Sequence, residues 1–274
     1  MDKVKGGLGR LAAAPHIVWA ILFIVAPLLF VVYYTFTTPE GAFTFDNISA
    51  LNEHINTFML SISLSVIATF ICFLVGYPLA YIIAKSGERA QKIMITLVML
   101  PMWTNLLIRT YSMMAIMDDG GFLNTILGYL DLGKVHLIGT KGAVIFGMVY
   151  DFLPYMVLPI YTTIAKLDNS LIEAAGDLGC NYFRTLTRVV LPLSSSGIIS
   201  GVTMVFVPSI STFYISQKLG GGTFELIGDT IERQFQNSST YNVGAAISLV
   251  MMVLVLISLA IMNRFADKEG GDEN

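Results

Sequence analysis

Long apolar runs alternate with short polar connections along the chain. Six stretches, 15–36, 57–84, 93–117, 142–165, 189–213 and 243–263, are apolar over the roughly 20 residues that a helix needs to cross a bilayer. The pattern predicts an all-α polytopic membrane protein with six transmembrane helices. The first run is longer than the h-region of a cleaved signal peptide, and no small-residue cleavage site follows Tyr33-Tyr34-Thr35-Phe36. Pro27, Gly76-Tyr77-Pro78, Pro154, Pro159 and Pro208 predict interruptions within the spans, either breaks or, for each proline singly, ordinary helix kinks. Such breaks are tolerated in a membrane where neighbouring helices, side chains or water satisfy the freed backbone groups. Several together suit a bundle around a pathway better than a simple anchor. Gly197 and Gly201 form a small-xxx-small pattern on the fifth span, a spacing that allows close helix approach.

Composition agrees with the periodicity. Of 274 residues, 55% are hydrophobic and 13% charged, where a soluble domain carries about a quarter charged. The formal net charge of −3 excludes the basic surface that a nucleic-acid partner wants. Cys72 falls in a span and Cys180 in a connection, so neither a disulfide nor a metal site is expected.

Orientation follows from the basic residues. One side of the membrane receives eleven Lys and Arg: Lys3, Lys5 and Arg10, Lys85, Arg89 and Lys92, Lys166, Arg184 and Arg188, and Arg264 and Lys268. The other side receives four (Lys134, Lys141, Lys218 and Arg233), and Arg109 lies within a span. The positive-inside rule then places both termini in the cytoplasm. Residues 1–14 and 264–274 are cytoplasmic tails, 15–36 a first membrane helix, and 57–263 a core of five further helices.

Several chemistries find no support. Gly220-Gly221-Gly222-Thr223 is not followed by the lysine of a phosphate-binding loop. His16, His54 and His136 are scattered, so Ser61, Ser63 and Ser65 have no base within the spans to activate them. An intramembrane hydrolase is disfavoured, and no catalytic residue and no cofactor is predicted.

The connection at about 166–192 is far longer than a turn between helices requires. Ser170 with Glu173 three residues later reads as a capping box opening a short helix. Glu173 and Asp177 suit the positive end of that helix's dipole. Gly179 is placed to end it in the left-handed conformation. Asn181 is placed to cap a second short helix that runs to Arg188, with Pro192 near the next helix start. Two helices meeting at a sharp corner and projecting from the membrane describe a docking surface.

The same residues carry a resemblance. Glu173-Ala174-Ala175, three residues, Gly179, nine residues, Val189, one residue and Leu191-Pro192 are similar to the EAA loop (EAA-x3-G-x9-I-x-LP) of binding-protein-dependent ABC importer permeases, with Val for Ile the one departure. The resemblance implies a type I importer permease fold. It also implies two paired permease subunits, a dimeric cytoplasmic ATPase that receives Glu173, Ala174, Ala175 and Gly179, and an extracytoplasmic solute-binding protein. Further stretches resemble the spermidine/putrescine branch of that family: Gly76–Ala80, Leu100–Tyr111, Leu153–Tyr161 and Phe213–Ser216 with Gly220-Gly221. What that implies is a polyamine permease of the bacterial plasma membrane, with hydrolysis of ATP in a separate subunit and a polyamine-binding protein as partner. The same machine for sulfate or an organic cation is the alternative, and a noncatalytic anchor or assembly factor is disfavoured by the matched spacing.

Charge bears on the cargo. The outer connections hold nine acids against four bases, which concentrates cations at an entrance and is also what the positive-inside bias produces unaided. Asp151 lies at the edge of a span; it either lines the pathway or pairs with Arg109. Trp103, Tyr111, Tyr150, Tyr155, Phe213 and Tyr214 offer aromatic faces to ammonium groups, or serve as packing and interface anchors.

Overall fold

Each apolar run becomes helix in the computed structural model, which describes residues 15–270, with side chains described to 264. The tail at 1–14 and residues 271–274 lie outside the described residues. In chain order the principal helices are α1 (Pro15–Thr35), α2 (Ile55–Lys85), α3 (Glu88–Trp103), α4 (Leu106–Met117), α5 (Phe122–Tyr129), α6 (Lys141–Ile164), α7 (Asn169–Asp177), α8 (Tyr182–Leu193), α9 (Ser195–Ser211), α10 (Tyr214–Leu219), α11 (Ile227–Gln236) and α12 (Tyr241–Gly270). No strand forms among the described residues beyond one isolated bridge, Thr37 to Phe43. The chain divides into two compact units, Met1–Ile55 with Thr230–Leu254, and Asn56–Asp229 with Val255–Asn274.

In the first unit, α1 keeps its apolar side chains outside any core, as a helix does when lipid or another chain is its neighbour. Its carbonyl end is closed by two side-chain amides. Asn47 Nδ2 donates to Thr35 O at 3.0 Å and Thr37 O at 2.9 Å, and Asn242 Nδ2 donates to Tyr34 O at 3.1 Å. Those carbonyls have no partner within the helix.

The second unit holds the core. One cluster joins α2, α6 and α9 through Cys72, Tyr77, Met156, Val157, Ile160 and Val205. The other joins α2, α4, α6 and α10 through Leu64, Met113, Val144, Met148, Ile215 and Leu219. α9 lies against α6 through the two glycines of the small-xxx-small pattern. A Cβ on Gly197 would meet Pro159 O at 2.8 Å, and one on Gly201 would meet Met156 Sδ at 2.8 Å.

Two of the predicted spans are sharply bent. The run at 93–117 breaks at Thr104 and Asn105, both extended, and the pair α3 with α4–α5 turns by 94°. Asn105 causes the restart: its side chain accepts from Leu107 N at 2.8 Å, an N-cap within apolar sequence. The run at 189–213 breaks at Ser194, where α8 and α9 meet at 72°. At Pro78, Pro154, Pro159 and Pro208 no break occurs, since α2, α6 and α9 continue through them. At Pro27 and Pro192 the helix adapts instead of breaking. Each follows a π-helical turn, Ile21–Val25 and Leu186–Val190. The carbonyl four residues before each proline, with which its ring would clash, falls inside the widened turn.

Candidate functional site

The connection after α6 folds as two helices and a corner. α7 starts at Asp168, whose side chain accepts from Ser170 N at 2.9 Å. The N-cap is therefore Asp168, two residues ahead of the Ser170 that the capping-box pattern indicated; the two residue types cap about equally well, and the helix starts from the earlier one. Hydrogen bonds from the Ser170 backbone and side chain hold the Asp168 carboxyl below the usual carboxylate range. At the other end Gly179 takes φ +78°. Its N–H donates to Gly176 O at 2.9 Å while Cys180 N donates to Ala175 O at 3.0 Å, the two bonds of a Schellman turn. Asn181 then caps α8, its Oδ1 accepting from Arg184 N at 2.9 Å. The left-handed residue and the new cap, two positions apart, make the corner rigid.

Of the predicted coupling residues, Ala175 is buried toward the loop's own interior, while Glu173, Ala174 and Gly179 are exposed. Around them stand apolar side chains that sequence reasoning passed over: Leu171, Tyr182, Phe183 and above all Leu178, 86% exposed. Several large apolar groups exposed within one short connection are the composition of an interaction surface. Their signal was available as leucine and aromatics within an otherwise polar connection. The loop thus offers exposed carboxylates, Glu173 and Asp177, among exposed apolar side chains.

Within the bundle, Arg109 on α4 reaches Asp151 on α6, with Nη1 3.0 Å from Oδ1. The side chains are 13% and 1% exposed. The contact is an ion pair with poor hydrogen-bond angles: among the described residues, neither Asp151 oxygen and neither Nε nor Nη1 of Arg109 gains a hydrogen-bond partner. Of the two possibilities open for Asp151, this conformation displays the pairing. Arg109, with Tyr150, Thr104, Ser112 and Phe146, lines a cavity of about 340 Å³, and Asp151 stands behind that lining. Trp103 and Tyr155 lie outside it. Tyr214 meets Tyr111 edge to face at 6.4 Å, and Lys218 Nζ lies 5.4 Å and 5.8 Å from the two ring centres, a cation held on aromatic faces. Of the predicted pathway residues, Asp151 and Tyr150 thus meet Arg109, Tyr214 pairs with Tyr111, and Trp103 and Tyr155 join neither group.

Two of the three spaced serines make backbone contacts, while Ser65 Oγ is buried without a hydrogen-bond partner among the described residues. Ser63 Oγ donates to Met59 O at 2.7 Å, and Ser61 Oγ donates to Thr57 O at 2.8 Å while accepting from Ile227 N at 2.7 Å.

The model of one protein family, described as binding-protein-dependent transport system inner membrane component, matches residues 76–269. The spermidine/putrescine transport system permease protein PotB of Haemophilus influenzae is 38% identical to this chain over 276 residues, covering 96% of each. The PotB of Escherichia coli K12 is 35% identical over 253 residues, covering 89% of this chain and 92% of its own. Among solved structures, a bacterial ABC transporter involved in the import of the acidic polysaccharide alginate superposes with a TM-score of 0.77 at 18% identity, covering 97% of both chains. The MetNI methionine ABC transporter superposes with a TM-score of 0.59 at 16% identity, over 78% of this chain and 95% of that one. With its long apolar helices, this chain is a multi-pass membrane protein with a permease fold.

Proposed function

The chain belongs to the family of binding-protein-dependent transport system inner membrane components, and from that premise we propose that it is a permease subunit of an ATP-driven importer of the polyamines spermidine and putrescine. The relatives named above support the cargo. The observation that carries the mechanism is the α7–α8 corner, where exposed Glu173 and Ala174 sit beside Leu178 and Phe183 on a rigid turn.

Six membrane crossings with both termini in the cytoplasm put this corner on the ATPase side. A dimeric ATPase, a second permease subunit and an extracytoplasmic polyamine-binding protein complete the machine. This chain hydrolyses no ATP; it supplies half of the pathway and converts the ATPase's motion into opening and closing. Leu178 and its neighbours fill an apolar recess in the partner, and Glu173 pairs with a basic group there. Arg109 is held by Asp151 in the present state. Moving α4 against α6 would exchange that contact for one with cargo, because a carboxylate in a poorly solvated cavity attracts an ammonium group more strongly than in water.

Reconstitution in proteoliposomes with the ATPase, the second permease and the binding protein tests the reading. The complete set should import labelled spermidine and hydrolyse ATP in response to it. Glu173→Lys should abolish both while the protein still reaches the membrane, since it reverses the charge at the docking face. Undiminished uptake by that variant would refute the coupling role. Absence of spermidine import by the unsubstituted set would refute the cargo.

A further inference from the structure

Three side chains on α2, spaced four residues apart, reach the coupling loop at three different corners. Tyr77, Tyr81 and Lys85 occupy one stripe of the helix, since residues four apart lie one above the other. The Ser194 hydroxyl donates to Leu191 O at 3.2 Å, which leaves its oxygen to accept from the Tyr77 hydroxyl at 3.0 Å. Ser194 is the fully buried residue at the 72° bend where α8 becomes α9. One turn along, the Tyr81 ring meets the Tyr182 ring edge to face at 5.8 Å, at the first residue of α8. One turn further, Lys85 Nζ donates to Asn169 Oδ1 at 2.7 Å, at the first residue of α7. The start of each loop helix and the bend at the loop's end are thus fastened to a single element. Leu167, Ile172 and Leu186 of the loop pack into the same core cluster as Tyr77 and Tyr81, filling the space beneath the polar contacts.

The far end of α2 makes a contact of the same kind. Ser61, sixteen residues before Tyr77 and fully buried, accepts from Ile227 N at 2.7 Å, where the chain enters α11. Pro78, the one residue of α2 whose ring weakens the helical hydrogen bonding, falls between Tyr77 and Tyr81 and so is clamped on both sides.

We propose that the Tyr77–Tyr81–Lys85 stripe makes α2 and the coupling loop one rigid body, and that α2 is the rod delivering the loop's displacement to the outer segment at Ile227. This rests on the reading of the loop as the site where the ATPase docks. The three residues are positioning residues: they touch neither ATP nor cargo. If the loop instead pivoted on α2, these contacts would have to break and reform in each cycle.

The test uses the full-length chain assembled with the ATPase and second permease in proteoliposomes, with spermidine-loaded binding protein inside or outside as the orientation requires. In a Cys180→Ser background, Lys85→Cys and Asn169→Cys are bridged by a short reducible bis-methanethiosulfonate. The bridged complex should keep most of the uptake seen before bridging. Loss of uptake that a reductant restores would overturn the proposal, because it would mean that α2 and the loop must separate. In parallel, Tyr77→Phe combined with Lys85→Met should raise the ATP hydrolysed per spermidine imported by about threefold or more, since loosening a transmitting contact lowers coupling rather than turnover. A parallel fall in hydrolysis and uptake at constant ratio would mark the stripe as merely structural and overturn the proposal as well. The unsubstituted complex, run alongside, separates these outcomes from failure of the transport reading, which would show as no spermidine-stimulated hydrolysis in that sample.

Discussion

Asp151 and Arg109 define the residue-scale question, because their 3.0 Å contact lies where charge is costly. Removing one partner of a buried pair strands the other at a cost of roughly 3–5 kcal/mol. Asp151→Asn is therefore expected to deplete the protein from the membrane, and Asp151→Asn with Arg109→Gln to restore its level, as read by quantitative blotting of membrane fractions. Restored level with poor uptake would show that the carboxylate also serves the cargo. Normal level and uptake in the single variant would exclude both roles. Both residues stand out in the sequence as charges within apolar runs, but their partnership was legible only as an alternative. They are 42 residues apart on different helices, and no local pattern registers one helix against another.

At the scale of the element, the α7–α8 connection proposed to couple to the ATPase was read in detail because its signals are local. Gly179 and Asn181 do what their chemistry suggests within a few residues of themselves, whereas Asp168 displaced Ser170 as the cap because two good capping residues lay within one turn. Forcing a Cβ into the left-handed conformation costs about 1–2 kcal/mol. Gly179→Ala should then weaken docking of the ATPase by about five- to thirtyfold, measured by titrating ATPase onto the permease in nanodiscs. Gly179→Asn, which tolerates that conformation, should lose less. Helix packing gives a second prediction. Gly197→Ala drives a methyl group against the Pro159 carbonyl, and overpacking of this kind costs about 1–3 kcal/mol. Thermal unfolding in detergent should show that loss, while Gly176→Ala, whose added Cβ meets nothing within 4 Å, should be neutral or slightly stabilising.

Topology belongs to the whole molecule. The charge asymmetry of eleven against four and the family's membrane location predict that Cys180, partly exposed in the loop, reacts with a membrane-impermeant thiol reagent from the cytoplasmic face alone. Buried Cys72 should stay unlabelled, so the signal reports Cys180. Bound ATPase should shield it. Labelling of sealed, intact cells from outside would invert the assigned orientation and with it the docking role.

Hydrophobic runs and the spacing Glu173, Gly179, Val189, Leu191-Pro192 by themselves determined the class of molecule, its long apolar helices and the place of the α7–α8 corner. Each follows from transfer free energy or from hydrogen bonds closed within one or two turns, which depend on residues near in sequence. Tertiary structure alone decided which prolines break a helix. Pro78, Pro154 and Pro159 sit within continuous helices, while Asn105 and Ser194 mark the sharp bends. It also decided that Arg109 faces Asp151, that Gly197 and Gly201 seat against α6, and that one stripe of α2 holds all three corners of the loop. The physical reason is common to all of these. Whether a backbone bends, a charge is neutralised or a glycine is needed depends on atoms brought alongside by packing, and helix registration is set by the sum of many small contacts that no single segment encodes.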